Sequence, residues 1–164
     1  MSKRFEVLSS QQALGMLWRR PLKVAAALIS PGSDLGDPSI SLVPDVVNIK
    51  EGDWVETDAN GDAVLSAGPA RRAFPVYTGG GRFDVRAGGQ ISVLWGLWIA
   101  RTAAVKPGIV VAGAGVPLTT DAGLLRPAVA GEGVVAISEG PLLPGDGQFP
   151  DGFLEISSLV GGLA

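Results

Sequence analysis

Residues 115–140 read GVPLTTDAGLLRPAVAGEGVVAISEG, and glycine or proline interrupts each apolar run before it can complete a few helical turns. The habit extends along the chain, with 24 glycines and 12 prolines among 164 residues of which 46% are hydrophobic. Disorder requires low hydrophobicity, so a chain of this kind folds. Short valine- and isoleucine-rich runs between turn residues predict a mainly β domain of many short strands, arranged as a compact β-barrel or β-sandwich.

The punctuation is written twice. Gly52-Asp53-Trp54-Val55-Glu56-Thr57-Asp58-Ala59 leads to Gly61, and Gly115-Val116-Pro117-Leu118-Thr119-Thr120-Asp121-Ala122 leads to Gly123. The two Thr-Asp-Ala triplets are 63 residues apart. Ala73 to Gly79 then matches Val134 to Gly140 at an offset of 61, and Ile91 to Gly96 matches Ile156 to Gly161 at 65. The order of matches predicts two related β units, about 46–96 and 109–161, within a β domain spanning 45–164. Each unit reads as a strand, a tight turn, a return strand and two further strands. Asp58 and Asp121 are expected to shape the turns, because an aspartate side chain accepts hydrogen bonds from the amides ahead of it. Trp54, Val55, Val64, Leu65, Leu118, Leu124, Val134, Val135 and Ile137 are expected on core faces.

Between the units, ISVLWGLWIARTAAVKPGIVV (91–111) is the most hydrophobic stretch. It fits either a buried strand pair or a short helix. Trp95 and Trp98 in it would bury large area in the core or at a subunit interface. Before the units, residues 1–44 are expected to form a helix and an extended arm. Ser9 or Ser10 is a candidate cap for a helix over Gln11 to Arg19, and Pro21 would end it. The arm could lie on a neighbouring subunit or pack on its own domain. Arg19-Arg20 followed by Leu22 to Ile29 is a poor secretory leader, and eight apolar residues are too few to span a bilayer, which takes about 20. No membrane partner is expected.

Composition limits the chemistry. The chain has no histidine and no cysteine, which removes the commonest general base, the commonest metal ligand, thiol nucleophiles and disulfides. A net charge of −3 argues against phosphate neutralisation, so nucleic acid is not an expected partner. Asp58-Ala59-Asn60-Gly61-Asp62 has alternating oxygen groups, yet its glycine stands fourth rather than sixth and Pro69 occupies the place of the twelfth-position glutamate of a calcium loop. IVVAGAG (109–115) leads to Pro117 rather than to a helix that could hold a pyrophosphate. Asp84, Glu132, Glu139 and Glu155 are not brought together by any sequence pattern. The chain is therefore expected not to be an enzyme, with no catalytic residue, no cofactor and no metal.

GVPLTTDAGLLRPAVAGEGVVAISEGPL followed by DGFLEISSL resembles the closing part of the capsid decoration, or cement, proteins of tailed bacteriophages, and IKEGDWVETDANGDAV resembles the start of the same pattern. The resemblance covers about the last two-thirds of the chain. It implies a β-rich domain on the outside of an icosahedral head, a homotrimer at local three-fold positions, and the major capsid protein as partner. It also implies a virion location, after synthesis in the host cytoplasm. Combined with the residue reading, the candidate capsid or subunit contacts are Trp18, Arg19, Arg20, Arg71, Arg72, Trp95 and Trp98. A tail or baseplate structural protein, a free-standing ligand-binding β module and a hydrolase using buried carboxylates such as Asp84, Glu132 or Glu139 are the alternatives.

Overall fold

The computed structural model describes residues 3–10, 18–23, 49–69, 72–77 and 90–158. They form eleven strands: β1 (Phe5–Ser10), β2 (Trp18–Lys23), β3 (Trp54–Thr57), β4 (Ala63–Leu65), β5 (Phe74–Pro75), β6 (Gln90–Trp95), β7 (Trp98–Thr102), β8 (Pro117–Asp121), β9 (Leu124–Pro127), β10 (Ala136–Ser138) and β11 (Leu154–Ser158). One sheet is six-stranded in the order β1-β7-β11-β10-β8-β9. The second runs β4-β3-β5 and continues through the antiparallel bridge Val76 to Val93 into β6-β2. All neighbouring strands are antiparallel. Among the described residues both sheets end in strands with no further partner, and the architecture is mainly β with no closed barrel.

The two units predicted from sequence contain strands in the same neighbour order, β4-β3-β5-β6 in the first and β9-β8-β10-β11 in the second. Their backbone bonds correspond as well. Gly52 N–H donates to the Val76 carbonyl and Val76 N–H to that of Asp53, at 2.8 Å each. In the second unit Gly115 N–H donates to Ser138 at 2.7 Å and Ser138 N–H to Val116 at 3.0 Å. Gly52 and Gly115 share positive φ angles of 86° and 85°, a conformation that glycine adopts without steric cost. Register also corrects the offsets. Val55 pairs with Phe74 and Leu118 with Ala136, so those strands match at 62 rather than 61. Val76 bridges Val93 where Ser138 pairs with Ile156, which gives 63 rather than 65. Hydrogen bonding sets the match, whereas glycine-bounded apolar runs slide past one another in a sequence.

The expected N-terminal helix is not seen: no described residue is helical. Ser9 and Ser10, read as its cap, lie in β1 opposite Ile99 and Trp98, and Trp18 and Arg19 lie in β2 opposite Trp95 and Leu94. Residues 11–17 are outside the described residues. Cross-strand pairing with a long partner outweighs a local capping signal here. Phe5 enters the core, and Arg4 reaches both the carboxylate of Asp53 and the carbonyl of Glu51, so the start of the chain packs on its own domain. The rest of the expected arm, 24–44, is outside the described residues.

Residues 91–111 fit either a strand pair or a helix by sequence, and the structure makes two strands that do not pair with each other. The chain turns a corner at Gly96 (φ 93°) and Leu97, passing from β6 in one sheet to β7 in the other. Strand β7 alternates in burial, with Trp98, Ala100 and Thr102 inward. Phe5, Trp54, Leu94, Trp98, Ala100, Leu118, Leu125, Leu154 and Ile156 belong to one core cluster fed by both sheets. Of the expected core residues, Trp54, Val55, Leu118 and Val135 are buried, while Val64, Leu65, Leu124, Val134 and Ile137 are half-buried.

Candidate interaction surface

The repeated Thr-Asp-Ala motif builds two different tips. In the first unit Asp58 Oδ1 accepts from the amides of Asn60 at 2.9 Å and Asp62 at 3.0 Å, while Gly61 N–H donates to the Asp58 carbonyl at 3.0 Å. That tip closes on itself, with the aspartate shaping the turn as expected. In the second unit Ala122 (φ 50°) and Gly123 (φ 80°) form a two-residue turn between the paired Asp121 and Leu124. Asp121 does not shape it. Its carboxylate faces Lys106 at 3.4 Å and Arg126 at 3.9 Å, which corrects the sequence expectation.

The second tip docks on the first unit. Trp54 N–H donates to the Gly123 carbonyl at 2.9 Å, and Gly123 N–H donates to Ser66 at 2.8 Å. Beneath them runs a hydroxyl chain. Ser66 gives its one hydroxyl proton to Glu56 Oε2 at 3.0 Å, so Thr120, 2.6 Å away, is the donor to Ser66. The contact orients the two units by directional bonds in a buried setting, where unpaired polar groups are costly.

The seven candidate contact residues have separate fates. Trp98 is 4% exposed and packs near Phe5 and Trp54, so it serves the core. Trp95 is 40% exposed beside the Gly96 corner and stands opposite Trp18 in the β2–β6 register. Arg19 and Arg20 face Leu94 and Val93 in the same register, which gathers Trp18, Arg19, Arg20 and Trp95 on one strand pair. Arg72 is exposed, and Arg71 is outside the described residues. Sequence reasoning missed Leu8, Val110 and Val129, all exposed. Leu8 is the extra residue of a bulge in β1, between Val7 opposite Ala100 and Ser9 opposite Ile99. A bulge in the outermost described strand of a sheet hinders addition of another strand.

The carboxylates with resolved roles are structural. Arg126 grips Glu132 with two bonds, 2.8 and 2.6 Å, and Glu132 also accepts from Val129 N–H at 2.8 Å. The Arg126 bond first, and the Val129 amide second, hold the Glu132 carboxyl at about 2, and the bond to Glu132 in turn raises Arg126. Glu132 is therefore ionised at neutral pH and cannot supply a proton there. Because its folded value lies below the unfolded one, the clamp's contribution is present above the ordinary carboxylate range and is lost as pH falls from that range through about 2. A carbon-13 carboxyl titration should place the Glu132 midpoint near 2, and Arg126→Ala should return it toward the ordinary range; a normal midpoint in the parent protein contradicts the clamp. Arg101 pairs with Glu155 at 3.0 Å and lies over the Phe153 ring. Glu139 is exposed, and Asp84 is outside the described residues. Among the described residues no group of three or more acidic side chains could hold a metal.

No family model, curated protein or solved structure matches the chain.

Proposed function

We propose that the protein is a structural virion component, a capsid decoration protein that binds the outside of a tailed-phage head as a homotrimer and ties neighbouring major capsid subunits together. The observation that carries this reading is the corner at Trp95, where a large apolar side chain is presented at the surface beside a strand pair bearing Arg19 and Arg20. Aromatic and arginine side chains are the usual anchors of protein contacts. The frame behind them supports the reading too: two matched β units locked by directional bonds make a stiff body, and symmetry around a shell multiplies modest contacts. The resemblance of the repeated pattern to cement proteins points the same way.

Heads purified without the protein provide the test. The parent protein should co-sediment with them and be a trimer by light scattering, and Trp95→Ser should keep its β circular dichroism while losing about tenfold or more in affinity, the effect of removing an anchor worth ~1.4 kcal/mol. Failure of the parent to bind heads, with a label appearing on tails in electron micrographs, would move the protein to the tail.

A further inference from the structure

The contact between the two units is heterologous, since the tip of one meets the β3–β4 face of the other and different residues lie on the two sides. A contact of that kind leaves one unused half at each end, and further copies can add there to give rings or filaments. The unused halves of this chain are identifiable by the repeat. One is the first unit's tip, where Ala59, Asn60 and Gly61 are exposed and nothing lies within 4 Å of a Cβ placed on Gly61. The other is a shelf on the second unit formed by Pro117 and Ala128 to Ala130, the counterparts of Trp54 and of Ser66 to Gly68. Ala128 N–H bonds the Pro117 carbonyl at 2.9 Å just as Ser66 N–H bonds that of Trp54 at 3.0 Å. Val129 is 66% exposed on this shelf, and the space around Gly131 is open.

Several of the backbone groups that make the internal contact are withdrawn in their counterparts. Trp54 donates its amide to the docked tip, whereas Pro117 has no amide hydrogen to give. The Ala67 carbonyl faces the Ala122 amide at 3.4 Å, whereas the Val129 carbonyl is taken by Glu132 N–H at 3.1 Å within its own turn, which the Arg126–Glu132 clamp holds. Gly123 N–H reaches out to Ser66, whereas Gly61 N–H turns back to Asp58 and the Asn60 amide bonds the Asp58 side chain. We propose that Asp58 at the tip and Pro117 with Glu132 at the shelf close this surface to a second copy of the chain, so that head-to-tail association stops at two units. The inference is independent of head binding, and it requires any homotrimer to use other surfaces.

Opening the two halves on separate molecules tests it. Asp58→Ala releases the Asn60 and Asp62 amides at the tip and loosens the turn that holds Gly61 N–H, while in a double variant Pro117→Val restores a backbone amide to the shelf and Glu132→Ala removes the clamp that holds its turn. In sedimentation velocity each variant alone should match the parent, and the mixture should show a new, heavier boundary containing both. A mixture that sediments as the sum of its components, with both variants keeping the parent's β circular dichroism, overturns the proposal. Should Asp58→Ala lose that spectrum, Asp58→Gly takes its place. Asp58→Asn keeps an accepting oxygen and should stay closed, and a heavier boundary with it also overturns the proposal.

Discussion

Gly68→Ala is expected to lower unfolding free energy by at least about 3 kcal/mol, while Gly131→Ala, the same substitution one residue beyond the matching place in the second unit, costs about 1 kcal/mol. Both glycines have positive φ, 70° and 89°, so the backbone penalty for a side chain is shared. Their surroundings differ. An alanine Cβ at 68 would fall 1.7 Å from the Thr120 carbonyl oxygen and 2.5 Å from its carbon, whereas at 131 it would meet nothing within 4 Å. The obstructing atoms are backbone of the docked hairpin, held by the Trp54, Gly123 and Ser66 bonds, and they cannot swing aside as a side-chain end could. Urea denaturation of the two variants reads the difference. Equal losses at 68 and 131 would mean that the second unit's tip does not press on the first.

Trp54→Ala is expected to cost about 3–5 kcal/mol, the range for deleting a large buried aromatic side chain, out of a total that for a domain of this kind is about 5–15 kcal/mol. Trp54 is 1% exposed and packs against Trp98 with ring centres 6.1 Å apart. Its indole Nε1 is buried without a hydrogen-bond partner among the described residues. That orphan donor already carries a desolvation penalty, so Trp54→Phe, which keeps much of the volume and removes the donor, should cost only about 1 kcal/mol. Denaturation followed by far-ultraviolet circular dichroism checks the order. A phenylalanine variant as unstable as the alanine variant would show that packing shape, not volume, governs the site.

How much of this was legible follows from where each signal resides. The strand-rich class and both hairpin tips were readable because glycine, asparagine and aspartate report local backbone angles, and Gly61 and Gly123 do hold φ of 82° and 80°. The helix expected over 11–19 rests on equally local evidence, a serine cap and a following proline, and it fails at Trp18 and Arg19 because β6 offers those residues partners 77 and 75 positions later. Asp58 and Asp121 stand in the same triplet, yet only Asp58 closes its turn. Asp121 has Lys106 and Arg126 within reach, and no local pattern announces them. Trp95 and Trp98 were indistinguishable as apolar residues three apart. The change of sheet at Gly96 leaves the first exposed and buries the second.

The sequence by itself determined that the chain is β, that its units come in a matched pair, where the chain turns, and that no histidine or cysteine chemistry is available. Those properties depend on backbone angles and on side-chain inventory, which each residue carries with it. Only the tertiary structure decided that one tip docks while its counterpart closes on itself, that Gly68 is jammed where Gly131 is free, and which tryptophan faces outward. Those outcomes depend on which distant strand supplies the partner atoms, and identical short motifs cannot encode different partners.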